Sequence, residues 1–434
     1  MEERQTPVKV VDAIMGSGKT TGMFKLMGDG FSRDNKKYFY VSLFNSEVGD
    51  GNTKELGRVH KELPYMEFKM PQNRGQGKKE NIKDLMKRGY NIATTHASFR
   101  SFDKEAIDIM VEKGYTLVID ESLDCITKYD NLKVFDLNLL IGMNYISVSE
   151  IDGKLSWTGD DIKEEDTTFY DVMKLCRTES LYKYGDDLIM WEYPPLLLKM
   201  LEDVYVITYL FEGSIMCSWM DKNGILYEKL PHSKLGLRPE YEIKQSIKEN
   251  LELLKSNGLQ SIRQEQSSKE HQFSSGWYKR NCVKDGSKDK DKQPIPETEM
   301  MVRMRKVIES SISRTKSSNR CMFWTTFKDY QKGLSGKGYK QKPRDGLDPF
   351  LACNTKATND YRDHTLCVYS VNVFKTPIEV NYLKSRGIEF DNDLYSLSEM
   401  IQFIFRGSIR KGEHMKLLVF SERMEKLLLE WLEE

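Results

Sequence analysis

The sequence predicts an α/β protein built on parallel sheets, and three observations carry that prediction. The β-branched apolar run VKVVDA (8–13) leads into a glycine-containing turn and a helix-forming stretch, IMGSGKTTGMFKLM (14–27). A second apolar run, Tyr115-Thr116-Leu117-Val118-Ile119, ends in two adjacent acids, Asp120 and Glu121. Further strand-sized runs recur near 37–43, 91–94 and 204–208, and again near 320–325, 349–352, 366–371 and 416–419, which gives two α/β domains.

The first strand and its turn match a phosphate-loop pattern, Ala13-x-x-x-x-Gly18-Lys19-Thr20, with alanine at the position of the usual first glycine. Gly16 and Gly18 allow a sharp turn and leave bare N–H groups to face phosphates, and Ser17 completes the loop. The helix that follows, opening with Lys19, Thr20 and Thr21, points its positive end at the same anion. Lys19 is expected to place a point charge between β- and γ-phosphates, and Thr20 to offer its hydroxyl to Mg²⁺.

Such a loop needs a carboxylate at the end of a nearby strand. Asp120 and Glu121 fall at the carboxyl end of theirs, where open α/β sheets bind ligands. Asp120 is expected to hold Mg²⁺ through water, and Glu121 to orient and deprotonate the attacking water.

The order of the motifs AIMGSGKTT (13–21), NIATTHASF (91–99), LVIDES (117–122), VITYLFEGS (206–214), FWTTFKDYQKGLSGKGY (323–339), ATNDYRD (357–363) and SLSEMIQFIFRGSIRKGE (396–413) resembles that of the superfamily 2 DNA helicases of bacteriophages and bacterial mobile elements. The resemblance runs along nearly the whole chain. It implies two RecA-like P-loop NTPase domains, ATP and Mg²⁺ between them, and movement along DNA, single-stranded or forked. It also implies a monomer in the host bacterial cytoplasm, with replication or recombination proteins as partners. Thr208 falls where these enzymes couple the γ-phosphate to strand binding, its other reading being a plain strand residue. Thr95, His96, Thr326, Lys328, Thr358 and Arg362 fall in the motifs that contact nucleic acid. Little sequence precedes residue 8, so an adenine-reading segment ahead of the loop is expected to be absent or minimal, and ATP is not separable from GTP.

The last motif can also be argued from spacing. Ser396-x-x-Glu399 is a capping box expected to open a helix, which would set Gln402, Arg406 and Arg410 on one face. A face with one glutamine and two arginines suits a γ-phosphate whose charge grows in the transition state. The family's usual spacing puts the second arginine three residues after the first, not four, so Arg406 and Arg410 both stand as candidates for the arginine finger.

Lys+Arg and Asp+Glu number 66 each, which excludes a polycationic coat or an acidic tail protein but not a local basic track. One such run spans Arg314 to Arg344, interleaved with Phe323, Trp324, Phe327, Tyr330 and Tyr339, and suits phosphates and stacked bases. Another comprises Arg74, Lys78, Lys79, Lys83, Lys87 and Arg88. Trp324 is assigned to strand core, and His96 to structure as readily as to contact.

At 434 residues the chain holds about two or three domains. The first is expected over 1–225, with a mostly helical insertion at 123–200 carrying its own small core. A variable connection with a mobile basic loop follows over 226–300, including a helix near 241–256, and the second domain covers 301–434. Seven scattered cysteines without a CxxC pair point to reduced thiols. No run reaches membrane-spanning length, and the opening MEERQTPVKVV lacks a signal layout. Beside a helicase, the sequence leaves open a remodeller that acts on protein–DNA complexes without unwinding, and a non-enzymatic ATP-gated loader or adaptor.

Overall fold

A computed structural model describes residues 6–73, 75, 77–163, 167–265, 270–290, 292–344, 346–355 and 360–434. The protein is a mixed α/β chain with parallel sheets that divides into two compact units. The first comprises residues 1–14, 18–237 and 376–391; the second comprises 15–17, 238–375 and 392–434.

The first unit is organised on a six-stranded, all-parallel sheet. From one edge its strands are Tyr227–Lys229, Val8–Asp12, Val204–Thr208, Tyr115–Asp120, Lys37–Ser42 and Ile92–Thr95. The central strands are mostly buried and apolar, whereas the edge strand Tyr227–Lys229 carries Glu228 and Lys229 and is largely exposed. Alternate residues feed different cores. Val10, Phe39, Val41, Leu117, Ile119 and Val206 enter one cluster, while Val11, Tyr38, Tyr40, Val118, Tyr205 and Ile207 enter the other. The helix Lys19–Asp34 packs Met23, Phe24 and Met27 onto the second face.

The expectation of a mostly helical insertion with a core of its own is corrected. Ile126–Lys128, Leu181–Tyr184 and Leu188–Glu192 form a three-stranded antiparallel sheet, and Ile146–Val148 pairs with Leu155–Trp157. The helical pattern at 167–184 yields only Tyr170–Arg177. Two residues on, Glu179 adopts φ 57°, and the chain turns into strand. The insertion's apolar residues Ile126, Leu137, Leu140, Leu155 and Leu181 join the core of the large sheet rather than forming a separate one. The helix Pro377–Ser385 also belongs to this unit, burying Tyr382 and Leu383 in that core.

The basic run at 78–88 is a structural network. Lys83 is buried, with its Nζ 2.7 Å from Glu105, 3.0 Å from Asp103 and 3.0 Å from Glu80. Lys79 sits 2.8 Å from Asp103, and Lys87 3.0 Å from Glu105. Arg74 lies outside the described residues. Asp103 also caps the helix Lys104–Glu112, accepting from the Ala106 amide at 3.0 Å. Burial alone would raise its carboxyl, but Lys79, that amide and Lys83 hold it down at about 2. An acid depressed in this way stabilises the fold above its unfolded pKa and loses that contribution as pH falls toward 2. Asp103→Ala is expected to cost about 1–3 kcal/mol at pH 7, from the cap plus a screened share of the ion pairs. The deficit should shrink between pH 4 and pH 2. Urea unfolding at several pH values checks this, and a deficit independent of pH would remove the electrostatic part.

The second unit has a four-stranded parallel sheet in the order Leu251–Leu253, Met415–Val419, Leu366–Tyr369 and Met322–Thr325. The helix expected near 241–256 stops at Asn250 and gives way to the first of these strands. The strand expected near 349–352 is reduced to one bridge from Phe350 to Trp324. The stretch after residue 257 builds core: Leu259, Ile262, Phe273, Trp277 and Tyr278 pack with Trp324 and Leu418. Trp324 is fully buried, as its strand position predicts.

Candidate phosphate-binding site

Parallel register brings the carboxyl ends of the first unit's strands to one edge. Asp12 pairs in register with Thr208, Ile207 with Asp120, and Ser42 with both Asp120 and Thr95. The strand leading to the phosphate loop and the strand ending in the two acids are therefore separated by one strand, whose last residue is Thr208.

The loop follows from its glycines. Gly16 and Gly18 have φ 83° and 92°, a region that glycine enters without strain. A Cβ at either would meet nothing within 4 Å, so the glycines serve backbone conformation and the space above them is open. Ser17 is buried, and its Oγ has no hydrogen-bond partner among the described residues. Lys19 is 7% exposed; its Nζ donates to the Ala13 carbonyl at 3.1 Å and lies 3.8 Å from Glu121 Oε1. Thr20 is half-buried. Thr21 is exposed and accepts from Arg58 Nη2 at 2.7 Å.

Asp120 is buried and accepts from the Tyr40 hydroxyl at 2.7 Å. Burial, and after it the Glu121 charge, push its carboxyl up to about 7. Glu121 has φ 70°, the left-handed region, which is costly for a non-glycine residue. The Glu121 amide donates to Ile207 O at 2.8 Å, and Glu121 Oε2 accepts from Thr208 Oγ1 at 3.4 Å. Thr208 is thus tied to the acid rather than to the surface, being 1% exposed. A half-buried hydroxyl at Thr20 with the carboxylate of Asp120 is a hard-oxygen donor pair of the kind that fits Mg²⁺. That ion commonly takes one or two protein oxygens and completes its shell with water and phosphate. Among the described residues no group of three or more His, Cys, Asp or Glu is placed to hold a metal ion.

Sequence reasoning missed three neighbours of this site. Arg58, besides its bond to Thr21, reaches Glu62 at 2.5 Å and lies over the Phe24 ring at 5.5 Å. Tyr40 is an interior strand residue whose hydroxyl happens to meet Asp120. Asp12 pairs with Lys229 at 2.9 Å and accepts from the Phe211 amide at 3.3 Å. Only Asp12, an acid ending the first strand, carried a signal of the kind applied to Asp120.

The other predicted residues divide. Thr95 caps the helix His96–Arg100, accepting from the Ser98 amide, and His96 Nε2 lies 3.0 Å from the Asp120 carbonyl. Thr326 is fully buried, so its hydroxyl does not face a strand on the surface. Lys328 and Arg362 are exposed, and Thr358 lies outside the described residues.

The expected late helix is corrected. Its helix runs Asn392–Ile404, so Ser396 is inside it, buried, with its hydroxyl donating to the Val373 and Asn392 carbonyls rather than capping. Gln402 donates to Ser398 Oγ at 3.2 Å. Arg406 lies beyond the helix and Arg410 in the 3₁₀ turn Ser408–Lys411, so the three do not share a helical face. Arg406 is 5% exposed and donates to the Thr355 carbonyl, and burial lowers its guanidinium to about 10 against the opposing effect of Glu399. Arg410 is exposed. Gly407 lies in the turn after the helix, where a Cβ would be 2.5 Å from Met415 Sδ and 2.9 Å from the Phe323 ring.

No helix among the described residues is long and apolar enough to cross a membrane. Residues 126–191, within the mixed α/β insertion, match the YonV middle domain, and residues 245–432 match the YonV C-terminal Rossmann-like domain. Over 98% of its length the chain is 29% identical to the SPbeta prophage-derived uncharacterized protein YonV of Bacillus subtilis (strain 168), 98% of which is covered. That likeness supports a phage or mobile-element origin for the chain.

Proposed function

We propose that the chain is an ATP-dependent DNA helicase or translocase with RecA-like units, whose nucleotide site is the carboxyl edge of the six-stranded sheet. The observation that carries this reading is the convergence of Lys19, Glu121 and Thr208, with Lys19 Nζ 3.8 Å from Glu121 and Thr208 Oγ1 3.4 Å from the same carboxylate. In this reading Gly16, Ser17, Gly18, Lys19 and Thr21 hold the triphosphate, and Thr20 and Asp120 hold Mg²⁺. Bound Mg²⁺ neutralises charge on the phosphates. Glu121 orients water, and its bond to Thr208 gives hydrolysis a mechanical outlet along the central strand. Arg406 and Arg410 remain the two candidate fingers, and separate alanine variants of each would tell them apart by their loss of turnover.

Hydrolysis of ATP and GTP should be measured with single-stranded, forked and duplex DNA and with RNA. The expected result is ATP turnover that DNA stimulates and salt suppresses. Glu121→Gln should retain ATP but hydrolyse it at least about a hundredfold more slowly, the scale of a lost general base. If Glu121→Gln lost affinity instead, Glu121 would be a binding group. The burial of Arg406 favours, as a second reading, an ATP-gated loader, and a wild-type chain that binds ATP without turnover on any nucleic acid would select it.

A further inference from the structure

We propose that a second face, on the loops at the amino edge of the Met322–Thr325 strand, binds the phosphate backbones of double-stranded nucleic acid. Arg320, Lys340 and Lys342 form its centre, and Arg314, Lys316 and Lys337 flank them. This goes beyond the motor reading, because the face needs neither the phosphate loop nor hydrolysis.

Two loops are joined to make it. The helix Glu299–Thr315 ends at Lys316 in the left-handed conformation, and the chain turns through 317–321 into the edge strand. The segment 336–344 returns alongside that turn. Asn319 Nδ2 donates to Gln341 O at 2.8 Å, and the Lys337 amide donates to Glu309 at 2.7 Å. Tyr339 between them is buried, its ring edge-on to Trp324 with centroids 5.2 Å apart. The backbone is therefore pinned while all six cationic side chains are exposed.

Their charge is little compensated: Lys340 is near enough to help hold the Glu297 carboxyl down, but that acid is paired with Arg305 at 2.7 Å. None of the six side chains forms an ion pair or hydrogen bond with another described residue. From 314 to 345 the sequence has two acids, Asp329 and Asp345, and Asp329 is engaged with Lys284 at 2.7 Å. The contrast with Lys83, which meets three carboxylates, shows how the same chain neutralises a basic run when the run serves the fold. Like charges crowded on adjoining loops repel one another, and a polyanion relieves that repulsion.

The rings decide which polyanion. Single-strand binders combine positive charge with exposed aromatic platforms on which bases stack. Here Phe323, Trp324, Tyr330 and Tyr339 are buried, and Phe327 is half-buried with its ring edge-on to Tyr278, centroids 5.3 Å apart, so no open stacking platform is left among them. What remains is backbone recognition, which is strongest where phosphates are densest, and a duplex carries about one charge per 1.7 Å of its axis.

Fluorescence anisotropy of the intact chain with labelled DNA duplex, RNA duplex and a single strand of equal length tests this. Duplex should bind more tightly than single strand, and a preference between the two duplexes names the source of the phosphodiester. The triple variant Arg320→Gln, Lys340→Gln, Lys342→Gln should weaken duplex binding at least about tenfold, and lower the log–log salt slope by about 0.9 for each phosphate it no longer neutralises. Its melting temperature and basal hydrolysis should not change. Arg320→Lys with Lys340→Arg and Lys342→Arg should retain binding, and so should Lys19→Ala, which separates this face from the nucleotide site. Undiminished duplex binding by the glutamine variant would overturn the proposal. So would single strands binding as tightly as duplex, or polyglutamate or phosphatidylserine vesicles binding in its place.

Discussion

Lys19→Ala is expected to reduce triphosphate hydrolysis at least about a thousandfold, the scale on which a positioned cation stabilises a transferring phosphoryl group. Lys19 is 7% exposed, with its ammonium held between the Ala13 carbonyl and the Glu121 carboxylate, and needs little reorganisation to meet an anion above the loop. Truncation removes that charge and also leaves Glu121 beside Thr208 without its cation. The variant should stay folded, because the methylenes of Lys19 add little to a core made by Met23, Phe24 and Met27. Hydrolysis rate and thermal melting, measured together, separate the two effects. Turnover within a few-fold of wild type in a folded variant would remove the nucleotide site from this edge of the sheet.

Much of the first unit is legible in its sequence because a parallel strand buried on both faces is predominantly apolar, and a phosphate-loop turn is written in adjacent residues. Val8–Asp12 and Tyr115–Asp120 are of this kind. The insertion is less legible. The residues at 170–177 do form helix, but whether Leu181 and Tyr182 extend it depends on Met190 and Trp191, which pair with them across a hairpin. Arg406 and Arg410 fail for a related reason. A four-residue spacing implies a shared face only while the helix lasts, and this one stops at Ile404, before either arginine, with Gly407 packed close to Met415 and Phe323 in the turn that follows. The two basic runs are alike in composition, yet lysines of one pair closely with Asp103 and Glu105, while in the other the nearest such influence is that of Lys340 on Glu297, an acid already paired with Arg305. Counterions brought by folding cannot be counted within a run. Arg58 and Tyr40 were invisible for the same cause, since tertiary placement alone gives them Thr21 and Asp120 as partners.

Lys222→Met should destabilise the first unit by about 3–5 kcal/mol, the cost of leaving a buried charge without its partner. Glu192, the last residue of the insertion's Leu188–Glu192 strand, is fully buried. Its two carboxylate oxygens lie 2.8 and 2.9 Å from Lys222 Nζ, and it accepts from the Tyr382 hydroxyl. Lys222 ends the helix Ile215–Lys222 and lies 4.5 Å from the centre of the Tyr182 ring, so it too is largely withdrawn from water. One carboxylate thereby joins three stretches far apart in sequence: the insertion, the helix after Thr208, and the helix Pro377–Ser385. Desolvating both charges offsets most of their attraction, so the pair contributes little net stability, while removing one partner exposes the whole penalty. Tyr382→Phe should cost less, about 1–3 kcal/mol, because the lysine still neutralises the acid. The double variant Lys222→Met with Glu192→Gln should recover most of the Lys222→Met loss, and the double-mutant cycle in urea unfolding isolates that coupling. Additive losses in the cycle would mean that Glu192 is satisfied by other groups, and that the three segments are held by packing around Tyr382 and Leu383 instead.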